Sequence, residues 1–154
     1  MTAAATPAAG LGAEERRALV CVLDALIPPS PDGRRPGAGQ AGAAAYVENV
    51  LRTLPDLRTM VVEGLRELDE QARGLHGRAF ASCSEPERAV LVAAQPFGYA
   101  LVPHAYIGYY QQGSVLEALG LEARPPHPQG HVMTENDLSL LAPVRARSKR
   151  YRDC

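Results

Sequence analysis

Prolines cut this sequence into lengths that suit helices. Pro28-Pro29, Pro55, Pro86, Pro96 and Pro103 stand between or at the heads of apolar runs repeating every three to four residues, and no run alternates as a strand would. In the first run Leu19, Val20, Val22, Leu23, Leu26 and Ile27 follow one face of a helix from Ala13. Glu14 and Glu15 sit at its positive end, and Pro28-Pro29 stops it. Tyr46, Val47, Val50, Leu51 and Leu54 make a second helix, closed by Pro55. Leu57, Met60, Val61, Leu65, Leu68, Ala72 and Leu75 carry a third over about five turns, with Gly74 or Gly77 available to end it. The fold class predicted is all-α, a small domain of about five to six helices with an extended Pro-rich C-terminal strap.

Ser84-Glu85-Pro86-Glu87 is a helix start, with Ser84 as N-cap and Glu87 closing a capping box; the short helix after it turns Val90, Leu91 and Ala94 inward. Phe80 is the expected anchor between the third and fourth helices. Pro96 opens a fifth helix through Tyr110. Phe97, Leu101, Ala105 and Gly108 share one side of it, Tyr99, Tyr106 and Tyr110 are displaced from that side, and Pro103 predicts a kink or break near Tyr99. Ser114 caps a last helix, V-L-E-A-L, ended by Gly120. Ser30 to Gly42 has the composition of a surface loop, and Met1 to Gly12 that of a disordered leader. Residues 13–121 are thus the expected helical domain. Residues 122–154 form the strap, with Pro125, Pro126 and Pro128 in a polyproline-like path and a basic arm from Val144 to Arg152.

A chain of 154 residues can bury one core, but 5% aromatic content and a reliance on alanine make that core thin. With 16 basic and 17 acidic residues the net charge is −1, so no global field recruits nucleic acid or an anionic membrane. Cys21, Cys83 and Cys154 form no CxxC pair and read as free thiols, which fits a cytoplasmic setting. Arg16-Arg17 leads into an apolar run too short for an export signal and belongs to the first helix.

Neither G-x-S-x-G nor an activated cysteine is present, so hydrolase and transferase chemistry has no support. The glycines of Pro36 to Gly42 lack the G-K-[ST] ending of a phosphate cradle. Glu67 and Glu70 lie on a solvated, sign-alternating face with nothing apolar to tune them. His127 and His131 are four apart, but Pro128 and Gly130 prevent the helix that would converge their rings, and no other ligand completes a metal set. No residue is therefore assigned to catalysis, to a cofactor or to a metal. His104, Tyr106, Tyr109 and Tyr110, followed by Arg124, Pro125, Pro126, His127, Pro128 and His131, suit a surface that another protein covers, because tyrosine joins apolar area to a polar tip. The alternative is that the strap lies across its own helix.

The order L-D-A-L-I-P-P (Leu23 to Pro29), P-G-A-G-Q-A-G (Pro36 to Gly42) followed by Y-V-E-N-V-L, G-L-R-E-L-D (Gly64 to Asp69), F-A-S-C-S-E-P-E-R (Phe80 to Arg88) and the segment from His104 to His131 resembles the gluconate 2-dehydrogenase subunit 3 family. The resemblance implies a non-catalytic small subunit accompanying a large FAD-dependent oxidoreductase of the glucose-methanol-choline type, which oxidises sugars, glycosides or polyols. It implies that FAD lies in the partner and that the small subunit aids folding, stability or flavin loading. Many members carry a twin-arginine signal; here Arg16-Arg17 falls in the first helix, so a cytoplasmic complex is expected. The competing expectations are a helical scaffold or regulator with a basic arm, and a small acid–base enzyme using His104 and a tyrosine.

Overall fold

The computed structural model describes residues 10–124 and 135–148, and among them every regular element is helical. The chain divides into two units, one ending at Ala123 and the other beginning at Arg124. The first holds α1 (Ala13–Leu26), α2 (Ala44–Thr53), α3 (Pro55–His76), a 3-10 turn (Phe80–Ser82), α4 (Glu85–Ala93), α5 (Pro96–Tyr110) and α6 (Gly113–Ala118). The second holds a 3-10 turn (Leu138–Leu141) running into α7 (Ala142–Arg145).

The helix ends follow local chemistry. Glu15 accepts from the Gly12 N–H at 2.8 Å at the start of α1. Pro55 takes the first position of α3, where its missing N–H costs nothing. Gly77, at φ 67°, closes α3 in the left-handed conformation that an L side chain resists. Ser84 is the N-cap of α4, and the Glu87 carboxylate accepts from its N–H at 2.7 Å and its hydroxyl at 2.8 Å.

The core is one cluster. Leu19, Val22 and Leu23 of α1 meet Val47 and Leu51 of α2, Val61, Leu65 and Leu68 of α3, Leu91 and Val92 of α4, and Phe97 and Leu101 of α5. Phe80 is fully buried there, its N–H bound to the Asp69 carboxylate of α3 at 2.9 Å. Gly64 lets α3 approach the Phe97 ring, since a Cβ there would overlap the ring. Gln95 is buried before α5, and its amide donates to Gln71 at 3.0 Å, so its burial leaves that donor paired.

Five local expectations are corrected. Val90 is 72% exposed and Ala94 is exposed, whereas Val92 turns inward with Leu91. A helix of nine residues spans about two and a half turns, too few for periodicity to fix its phase. Ser114 is not the cap of α6; Gln112 holds that place. Of the kink or break expected at Pro103, the break is excluded, since α5 runs as one helix from Pro96 to Tyr110. The carbonyl that Pro103 leaves without an N–H belongs to Tyr99, itself 72% exposed, where water can replace the missing donor. Leu11, placed in the leader, packs against the core, while Met1 to Ala9 lie outside the described residues.

The fifth correction matters most. The middle of the Ser30–Gly42 loop is not at the surface: Gly37, Ala38 and Gly39 are buried against α1, while Gln40 and Gly42 are exposed. A Cβ at Gly39 would overlap the Val20 carbonyl oxygen, and one at Gly37 would overlap the Asp24 carboxylate. Asp24 accepts from the Gln40 N–H at 3.1 Å, and Ala38 donates to Ile27 at 3.0 Å. Glycine here serves close approach of two backbones. Cys21 and Cys83 are free thiols, the latter buried; Cys154 lies outside the described residues.

Candidate functional site

Helix α5 differs from its neighbours in carrying no charged residue along its fifteen. Its inner side packs as the sequence predicts, with Phe97, Leu101 and Ala105 buried and Gly108 set close against Ala43 of the α2 entry. A helix apolar all round is normally covered all round. This one is covered on one side only. Tyr99 is 72% exposed, Tyr106 47%, Ile107 45% and Tyr110 46%, with Pro103 exposed between them.

The tyrosines expected to face a partner therefore divide. Tyr106 and Tyr110, four apart on the helix, stack at 6.1 Å between ring centroids with planes inclined by 16°. Tyr109 is only 3% exposed, and its hydroxyl donates to the Pro36 carbonyl at 3.0 Å, fastening α5 to the buried loop. Burial pushes its phenol above the ordinary value, which keeps that proton in place as a donor. Tyr109 offers no open face, though its ring meets that of Tyr110 edge to face at 5.2 Å. His104 is half-buried on α5, and its Nδ1 is buried with no hydrogen-bond partner. No tyrosine hydroxyl engages that nitrogen as an acid–base pair would require.

Arg124 is exposed at the start of the second unit. Pro125, Pro126, His127, Pro128 and His131 lie outside the described residues. Among the described residues no group of three His, Cys, Asp or Glu side chains could hold a metal ion. Nor is the glycine loop a phosphate cradle: Ala38, Gln40, Ala41 and Gly42 all donate their N–H groups to acceptors within the protein. A cavity of about 600 Å³ between α1, α3 and the Phe80–Ser82 turn is lined by acids and bases together, including Glu14, Arg17, Asp69 and Arg73. Asp69 and Arg73 pair with each other at 2.7 Å there. No single helix among the described residues is long and apolar enough to cross a membrane.

Sequence reasoning missed Asp24 and its loop. Burial pushes the Asp24 carboxyl above the usual carboxylate range, against the N–H groups of Gln40 and Gly39 that hold it ionised. The G-A-G spacing was the available signal. Ile107 was missed as part of the open face, and the absence of any charge in α5 was the signal for it.

A model of the family described as gluconate 2-dehydrogenase subunit 3 matches residues 13–99, more than half of the chain. No curated protein and no solved structure matched.

Proposed function

Because the chain belongs to the gluconate 2-dehydrogenase subunit 3 family, we propose that it is the non-catalytic small subunit of an FAD-dependent oxidoreductase, binding and stabilising a large subunit of the glucose-methanol-choline type. That subunit would oxidise a sugar, glycoside or polyol. FAD is the large subunit's cofactor in this reading, and the small subunit aids its loading by holding the apoprotein folded. The observation that carries the proposal is the outer face of α5, where Tyr99, Tyr106, Ile107 and Tyr110 stand open on a helix without charge. Open apolar faces of this kind mark binding surfaces, and tyrosine is enriched where such surfaces carry most of their energy. The coupled rings of Tyr106, Tyr110 and Tyr109 reach from this face to the Pro36 carbonyl, so the anchor is rigid before a partner arrives. Arg16 lies within α1 and is held by Glu48, which supports a cytoplasmic complex over an export signal.

The test is co-expression with the large subunit followed by affinity measurement. Replacing Tyr106 and Tyr110 together by alanine should weaken the complex by roughly tenfold to a hundredfold while the helical circular dichroism is kept. Unchanged affinity would overturn the proposal.

A further inference from the structure

Four residues of α5 stand in one line on the side turned away from the core. Tyr99, Pro103, Tyr106 and Tyr110 follow one another at steps of four, three and four, which at about 100° per residue keeps them within about 60° of one another. All four are exposed, and Ile107, also exposed, and half-buried Val102 flank the line. Alternate steps of four and three are those of a seam along which two helices pair. The spacing is also symmetric. Laid antiparallel against a second copy about a two-fold axis between His104 and Ala105, Tyr99 meets the copy's Tyr110 and Pro103 meets its Tyr106, each contact made twice, as an isologous interface requires.

We propose that the free chain forms a weak homodimer through this line, two α5 helices packed antiparallel, and that the large subunit displaces the second copy to take the same face. The displacement rests on the small-subunit reading; the pairing does not. A second copy suits the face because α5 has no Asp, Glu, Lys or Arg to repel its own image, and a net charge of −1 leaves two whole chains with little repulsion between them. The Tyr106 and Tyr110 rings are already stacked, and Tyr110 is braced against buried Tyr109, so pairing orders few side chains anew. The Tyr99 carbonyl, deprived of its helical donor by Pro103, opens between those two residues and is an acceptor for a tyrosine hydroxyl of the copy. At about 200 Å² for a whole side chain, the exposed parts of these residues offer roughly 400 Å² per copy, half the area of a standard stable interface. The dimer is accordingly weak, with a dissociation constant on the order of 100 μM, and gives way to a partner that covers more.

Sedimentation of the purified full-length chain from about 5 to 500 μM should show monomer passing into dimer. Tyr99→Lys and Tyr110→Glu should each raise the dissociation constant about tenfold or more, with the unfolding midpoint of the dilute protein kept because both side chains are exposed. Mixed in equal amounts the two variants should pair again, since the antiparallel register sets the new ammonium against the new carboxylate. Adding the purified large subunit to wild type should convert the dimer into a one-to-one complex. A chain that stays monomeric over the whole range, whether its own tail or nothing covers the face, overturns the inference; if that chain still binds the large subunit, the small-subunit reading stands. Pairing that survives both substitutions, or that fails to recover on mixing, overturns the seam. A dimer that takes up the large subunit without dissociating overturns the displacement. A dimer that ignores the large subunit ends the small-subunit reading and the displacement with it, and leaves the pairing in place.

Discussion

Tyr109 and Tyr110 are neighbours whose rings touch, yet the first is 3% exposed with its hydroxyl on a buried loop and the second is 46% exposed. The same contrast runs the length of α5. On one side Phe97, Leu101 and Ala105 fill the core; on the other Tyr99, Tyr106 and Ile107 meet solvent with no charge among them. Both sides have the composition of an interior, and only one has found its cover within the first unit. Exposed apolar area of this extent costs solubility. Its retention on a helix otherwise fastened to the fold is what the proposed partner would explain.

The sharpest way to break that contrast is to place one charge on each side. Ala105→Lys puts an ammonium where Ala105 is 0% exposed, with no carboxylate on the helix to pair it, and should cost about 4 kcal/mol or more. Urea unfolding should find it largely unfolded. Tyr106→Lys, one residue on, should shift stability by less than about 1 kcal/mol. Equal damage at both positions would mean that the outer side is packed in solution after all, and the docking face would vanish with the contrast.

The parts legible in the sequence were those that local periodicity controls. The limits of α1 and α3 and the inner face of α5 follow from apolar spacing, proline and glycine. The pairing of Asp24 with Gln40 and of Tyr109 with Pro36 joins residues far apart in sequence; the G-A-G spacing marks a close approach but not which residues it brings together. The Ser30–Gly42 loop was read as surface because glycine is common in turns, whereas Gly37 and Gly39 are glycine because α1 leaves no room for a Cβ. Tyr109 was grouped with Tyr106 and Tyr110 by residue type, although it stands about 100° round the helix from Tyr110, on the side of the buried Ala105, and turns into the fold. Residues 125–134, where half of the expected interface lay, fall outside the described part of the chain.

A gentler probe removes single hydroxyls. Tyr109→Phe deletes the donor to the Pro36 carbonyl and should cost about 1 kcal/mol of stability, while Tyr110→Phe costs less than half of that. Binding of the large subunit per folded molecule should be unchanged in Tyr109→Phe. A binding loss without a stability loss would put Tyr109 at the partner surface and blur the two sides again.

The smallest expected effect concerns the helix before α5 and sharpens the contrast through charge. Where α5 has no Asp, Glu, Lys or Arg, α4 is started by a carboxylate: the Ser84 N–H, then its hydroxyl, then the Arg78 guanidinium at 2.6 Å hold the Glu87 carboxyl down at about 2. A folded value below the ordinary 4.5 means that the ionised form favours the fold. That contribution is complete above about pH 4.5, declines as pH falls through the window, and is gone below about 2. Glu87→Gln keeps the shape and removes the charge, so its stability deficit against wild type should be constant near about pH 6 and close toward about pH 2. Urea midpoints for the two proteins across that range test it. A deficit independent of pH would assign the role of Glu87 to packing, and would leave α4, like α5, without an electrostatic contribution from its own side chains at this end.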